Sequence, residues 1–357
     1  MNSDKRWQEL AEVLTDHSVG VEATERVLII MRETDAYPLT RAVYRRVVER
    51  GAYPQVLFHG AELERSLMVA GSDEQIDWVP ELYASAMEWA DVCIDLRGAP
   101  NLHEFKGVKE QLLSAHRRAE GNISALRTRK TRWTICRIPN ALFAQQAMVS
   151  SEEMMELWFN ACLIDWRGET ERLERLKERF DGTREVRIEA EDTDLTFSTE
   201  GRTFIIDDGH VNMPGGEIFT APLEDSVEGY ITFSNPGVFA GVLMEGIRLT
   251  FSGGEVVEAT ARSNESFLHS ILDMDEGARR VGEFALGTNN ALTTFTNDIL
   301  LDEKIAGTTH IALGRSYSEA GGKNDSALHW DIVKEMRGGG RILFDRKPVL
   351  FEGRLQP

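Results

Sequence analysis

Two short stretches of this chain place ionisable residues inside otherwise apolar, strand-like sequence, and no other feature constrains the fold as strongly. Leu301-Asp302-Glu303-Lys304-Ile305-Ala306-Gly307 leads into Thr308-Thr309-His310-Ile311-Ala312-Leu313-Gly314, and Ala327-Leu328-His329-Trp330-Asp331-Ile332-Val333 follows shortly. Burying such groups is costly unless they find partners or coordinate a metal. A strand turns residues i and i+2 to one face, so His329 and Asp331 can point at one ion. Together the two stretches read as a metal site. Each fragment alone has a plainer explanation: His329 with Asp331 as a satisfied polar pair, His310 as a hydrogen-bonded core histidine.

A length of 357 residues is enough for two domains, each with its own core. The first part alternates strand and helix signals. Apolar runs at Arg26 to Met31, Gln55 to Phe58, Ala90 to Leu96 and Arg132 to Arg137 are separated by helical stretches such as Pro38 to Arg50, with Gly51 as its C′ residue, and Trp78 to Trp89. That spacing predicts a parallel sheet flanked by helices. Ser150 with Glu153 forms a capping box, and Thr170 to Phe180 reads as an amphipathic helix closed by Gly182.

After residue 184 the pattern changes to alternating strands at Glu185 to Glu189, Leu195 to Ser198 and Thr203 to Ile206, with a hairpin at Ser252-Gly253-Gly254. A helix is expected from Glu265 to Leu286, ended by Gly287, and a final strand-turn-strand spans Gly340 to Gly353. The expected class is therefore α/β: an N-terminal domain over 1–184 and a mixed α+β metal-binding domain over 185–357.

Charge and cysteine usage narrow the function. A net charge of -19 repels polyanions over most of the surface, so nucleic acid is not the expected partner. The local exception is the basic run Arg127, Arg129, Lys130 and Arg132, which also reads as a solvated face. The three cysteines, Cys93, Cys136 and Cys162, lie in apolar runs with no Cys-x-x-Cys spacing, as buried thiols in a reducing compartment do. The charged N-terminus and the lack of a long apolar run suggest neither a signal peptide nor a membrane span, so the expected location is the cytoplasm. His103-Glu104 is followed by Gly107 where a helical zinc motif needs its second histidine, and no Gly-x-Ser-x-Gly elbow, Walker loop or dinucleotide fingerprint occurs. His17, His59, His116, His210 and His269 show no partner in the sequence.

Two glutamates join the candidates. Glu217 follows Gly215-Gly216, which let backbone approach closely just before an apolar strand. Glu283 follows Gly282 near the C-terminal end of the expected helix, where the helix dipole disfavours a carboxylate and some cation must offset it.

Four segments together resemble the thermophilic-aminopeptidase family of metallopeptidases. They are Asn212 to Pro222, Asp273-x-Asp275-Glu276-Gly277-Ala278-Arg279-Arg280-x-Gly282-Glu283, Asp302-Glu303 with His310-Ile311-Ala312-x-Gly314 and Tyr317, and His329-x-Asp331. The resemblance is carried by residues 205 to 331 and is architectural over the N-terminal half. Relative to the family, the Glu303-to-His310 loop is longer and the Gly314-to-His329 stretch shorter. It implies that Glu217, Glu283, Glu303, His310, His329 and Asp331 hold two divalent ions, with Glu283 as the bridge and Tyr317 facing the site as a transition-state donor or weak ligand. It also implies a homodimer that removes the amino-terminal residue of peptides. Carboxylates with imidazoles suit Zn, Co, Mn or Mg independently of the family. The competing enzyme class is a ring-cleaving non-haem iron dioxygenase, which resembles this fold and needs only two histidines and one carboxylate. A non-enzymatic alternative has the metal serve only to fix the fold.

Overall fold

The computed structural model describes residues 4–98, 101, 103–109, 111–113, 116 and 131–357. Arg127, Arg129 and Lys130 of the basic run lie outside the described residues, whereas Arg132 opens a strand and pairs with Glu25 at 2.7 Å. The chain divides into two compact units, one of residues 1–164 and 209–215 and the other of residues 165–208 and 216–357. The change of pattern near 184 marks the first antiparallel strand of the second unit, Glu185–Ala190. The helix before it, Trp166–Phe180, belongs with that unit because Leu176 and Phe180 pack into its core.

In the first unit, β1 (Arg26–Arg32), β2 (Tyr53–His59), β3 (Val92–Arg97) and β4 (Arg132–Arg137) form a parallel sheet in the order β2-β1-β3-β4, extended by Asn212–Met213. Val27, Leu28, Ile29 and Ile30 are all buried, the continuous apolar run of a parallel strand covered on both faces. The helix Tyr37–Glu49 starts with Pro38 in its first turn, buries Leu39, Val43 and Val47, and ends at Gly51, whose φ of +78° suits only glycine without strain. The expected capping box is present: Ser150 Oγ accepts from the Glu153 N–H at 3.1 Å, and the Glu153 carboxylate accepts from the Ser150 N–H at 2.8 Å.

The second unit stacks two antiparallel sheets. The larger has eight strands, with Thr193–Ser198 and Glu185–Ala190 at its centre, the Gly253-Gly254 hairpin toward one edge and Arg341–Phe344 with Lys347–Phe351 toward the other. The smaller contains β5 (Glu217–Thr220), β6 (Val281–Gly287), β7 (Thr308–Gly314) and β8 (His329–Glu335) in the order β8-β7-β6-β5, followed by Ile205–Asp207. Leu195, Phe197, Ile231 and Leu249 of the larger sheet share one core with Phe284, Ile311, Leu313 and Trp330 of the smaller.

The expected helix from Glu265 to Leu286 is corrected. The helix stops at Leu272, Glu276–Arg279 makes one tight turn, and Glu283 sits on a strand, β6. Glutamate, alanine and arginine carry helix propensity through this segment, but tertiary packing overrides it. A side chain at Gly277 would meet the Asp325 carbonyl at 2.2 Å, and one at Gly282 the Gly314 carbonyl at 2.3 Å. Backbone passes where a helix would need room for its own side chains. Asp302 also departs from the strand-like expectation, closing the short helix Ile299–Asp302.

Candidate metal centre

Strand alternation assembles the cluster. Ile218, Phe284, Leu286, Ile311, Leu313, Trp330 and Ile332 point into the core between the sheets, so Glu217, Glu283, His310, His329 and Asp331 are turned to the opposite face. On β6 the pairing slips between Val281 and Glu283, leaving Gly282 as an extra residue. This bulge lets both Val281 and Phe284 face the core while Glu283 faces the site. Ala312 stands opposite both Glu283 and Asp331, and Ala285 opposite His310. These small residues leave space for carboxylates and imidazoles above the sheet.

Loops complete the face. Gly216, at φ +117°, packs against Asn289, where a side chain would come within 2.7 Å of Cβ, and this fixes the entry to Glu217. Asp275 accepts from Ser326 Oγ at 2.7 Å and from the Ala327 N–H at 2.8 Å, tying down the turn before His329. Glu303 and Lys304 follow the Ile299–Asp302 helix and lie against Gly287, where a side chain would meet the Ile305 carbonyl at 2.1 Å and that of Glu303 at 2.9 Å.

The structure brings all six expected ligands together. His310 Nε2 is 3.3 Å from Glu283 Oε1, 3.5 Å from Glu217 Oε2 and 3.9 Å from Asp331 Oδ1. His329 Nε2 is 3.6 Å from both Glu283 Oε2 and Asp331 Oδ2. Ligand atoms of Glu217, Glu283 and His310 lie within 4.8 Å of one another, as do those of Glu283, His329 and Asp331, and of Glu303, His310 and Asp331. His329 Nδ1 is 2.7 Å from the Arg315 carbonyl; donating there leaves Nε2 to face the cluster as a lone-pair donor. The Tyr317 ring lies 5.1 Å from that of His329 and 5.5 Å from that of Phe219, beside the cluster and partly exposed.

Electrostatically the cluster carries more carboxylate than cationic charge. Burial is the main cause raising Glu217 to about 7 and both Glu283 and Glu303 to about 8, with repulsion from neighbouring carboxylates added. Burial alone would lower the His329 imidazole, but Asp331 and Glu283 outweigh it and raise it. Glu217 Oε2 and His310 Nδ1 are buried with no hydrogen-bond partner among the described residues. Such unsatisfied groups are costly, and the donor set of carboxylates and imidazoles fits divalent cations. Cys93, Cys136 and Cys162 all lie in the other unit.

Two charged neighbours escaped the sequence reading. Lys304 is fully buried, with Nζ 2.5 Å from Glu217 Oε1, 2.7 Å from Glu303 Oε1 and 3.1 Å from Asp207 Oδ2. Its position in Leu300-Leu301-Asp302-Glu303-Lys304-Ile305-Ala306 was the available signal, since a charged triplet flanked by apolar residues on both sides is not a solvated face. Asp207 carries no comparable signal. Away from the cluster, the His17 and His210 rings lie 4.4 Å apart and His59 packs on Tyr83 at 4.7 Å.

The chain is similar to known proteins along most of its length. The thermophilic metalloprotease (M29) family pattern matches residues 3–339. Aminopeptidase 2 of Geobacillus stearothermophilus is 26% identical over 389 aligned positions covering 92% of each chain. Aminopeptidase T of Thermus aquaticus is 37% identical over 163 positions, or 40% of each chain. Among solved structures, wild-type AmpT from Thermus thermophilus superposes with a TM-score of 0.84 at 25% identity, covering 99% of both chains. A dihydroxypyridine dioxygenase from Pseudomonas putida KT2440 shares the fold, with a TM-score of 0.61 at 16% identity over 100% of this chain and 98% of that one. No helix among the described residues is long and apolar enough to cross a membrane. The chain belongs to the M29 family of thermophilic metalloproteases, and it is a metalloaminopeptidase of the hydrolase class.

Proposed function

We propose that this enzyme removes the amino-terminal residue of peptides using two divalent ions held by Glu217, Glu283, Glu303, His310, His329 and Asp331, with Glu283 shared between them. The observation that carries this is the placement of Glu283. Its Oε1 approaches His310 and its Oε2 approaches His329, so its two oxygens serve two neighbouring groups of ligands. Charge points the same way, because the carboxylates of Glu217, Glu283, Glu303 and Asp331 match the charge of two divalent ions and exceed that of one. When bound, such a pair would acidify a shared water, polarise the scissile carbonyl and leave a position for the substrate's neutral α-amine. Zn, Co, Mn and Mg all suit the donor set.

The chain's own groups supply the rest. His329 is oriented through Arg315, and Glu283 is aimed by the bulge at Gly282. Tyr317, whose ring packs against that of His329, would donate to a developing oxyanion. Glu217 and Glu303 in the same cluster are surplus to a single-iron centre, which favours hydrolysis over ring cleavage. A homodimer acting in the cytoplasm completes the proposal, supported by the family resemblance and by three buried cysteines that form no disulfide.

A matched pair of peptides tests the proposal. A short peptide with a free amino terminus should be trimmed from that end in a chelator-sensitive reaction, and its acetylated twin should survive. Equal cleavage of both would make the enzyme an endopeptidase. Oxygen-dependent loss of a hydroxypyridine with neither peptide touched would make it a dioxygenase.

A further inference from the structure

Lys304 is a fully buried cation inside a cluster that would itself hold cations, and that location needs a reason. Its ammonium donates to Glu217 Oε1 and Glu303 Oε1 at 2.5 and 2.7 Å and forms an ion pair with Asp207 Oδ2 at 3.1 Å. The backbone holds it from both sides: its N–H donates to the Leu301 carbonyl at 3.2 Å, and its carbonyl accepts from the Asn289 N–H at 2.9 Å. Gly287 allows this segment to lie against β6. Glu217 is engaged through one oxygen only. Its Oε1 is bound by the ammonium, while Oε2 has no hydrogen-bond partner among the described residues and faces His310 Nε2 at 3.5 Å.

Charge explains why a cation is tolerated here. Lys304 and Asp207 cancel, leaving the four remaining carboxylates to match the ions, so Lys304 does not reduce the charge available to them. What it changes is geometry. A free carboxylate can bind an ion through one oxygen or two, whereas one held by an ammonium at Oε1 offers only Oε2.

We propose that Lys304 is a positioning residue: it holds one oxygen of Glu217 and one of Glu303, so that each presents a single oxygen to the metal centre, with Asp207 neutralising its charge from behind. The proposal rests on the two-ion reading and predicts a change in ligand mode that loss of fold would not mimic.

The test is a titration of metal-free wild type and Lys304→Met with cobalt(II), recording ions bound per chain, affinity and visible absorption, with circular dichroism to verify folding. Wild type should take up two ions. Lys304→Met should lose affinity by about 10- to 100-fold, as when other groups that orient metal ligands are removed. Its cobalt absorption should also weaken as freed carboxylates raise the coordination number. Affinity and spectrum matching wild type would overturn the role of Lys304. Failure of wild type to bind two ions would instead overturn the two-ion reading. If Lys304→Met does not fold, Asp207→Asn decides: it keeps the grip on both glutamates but leaves the ammonium charge uncancelled, so affinity should fall while the spectrum keeps its shape. Unchanged or tighter binding in Asp207→Asn would refute the neutral-pair arrangement.

Discussion

Stripping the metal should make the protein increasingly unstable as pH rises, the reverse of what ordinary acidic residues do. In the metal-free folded chain, burial outweighs the pull of Lys304 and, with repulsion among the carboxylates added, raises Glu217 to about 7 and Glu283 and Glu303 to about 8, whereas their ordinary value is 4.5. Between those limits the folded state holds protons that the unfolded state has released, so stability falls with rising pH. Glu283 alone, moving from 4.5 to about 8, accounts for on the order of 5 kcal/mol at about 1.4 kcal/mol per unit. His329 adds in the same direction, because a raised imidazole stabilises below its unfolded value and the gain is lost above its folded one. For a domain of this size the melting temperature of chelator-treated protein should fall by roughly 10 °C or more from pH 5 to pH 8. The net charge of -19 also disfavours the folded state at high pH, but it acts on metal-loaded protein equally. The assay is therefore paired thermal denaturation with chelator and with saturating divalent ion. The gap between the two should widen as pH rises. A metal-free melting temperature that stays level or climbs between pH 5 and pH 8 would refute the reasoning.

Two substitutions follow from the same geometry. Glu283→Gln is isosteric and removes a buried charge, so it should abolish hydrolysis and weaken metal binding about tenfold or more while raising the melting temperature of the metal-free protein at pH 8; normal turnover would remove Glu283 from the site. Gly282→Ala drives a methyl group toward the Gly314 and Arg315 carbonyls at 2.3 and 2.5 Å, so it should cost ~1–3 kcal/mol, read by denaturation, and lower activity beyond that loss by re-aiming Glu283; wild-type stability would show that the bulge is not closely packed.

Much of the fold could be read from periodicity because the segments involved are locally consistent. The apolar runs of β1, β3 and β4 are buried as a parallel sheet requires, and Pro38 with Gly51 marks both ends of one helix. His310, His329 and Asp331 were legible for a related reason: on β7 and β8 they interrupt runs of core residues at the strand period. Glu283 was legible as a residue but not as a place. Its segment carries helix-forming side chains, and what makes it a strand is the close approach of the Gly314 and Asp325 backbone, which is distant in sequence. The Gly282 bulge then changes the parity of β6, which no regular pattern encodes. Lys304 is harder to read, because a lysine beside a glutamate is ordinarily a surface pair. Its burial depends on carboxylates far away in the chain, at Glu217 and Asp207.

Counting the metal ions on the purified enzyme, together with the activity they support, tests the central claim most directly. The account predicts two divalent ions per chain, loss of aminopeptidase activity when they are removed, and recovery only as the second site fills. One iron per chain, or full activity with a single ion bound, would contradict it.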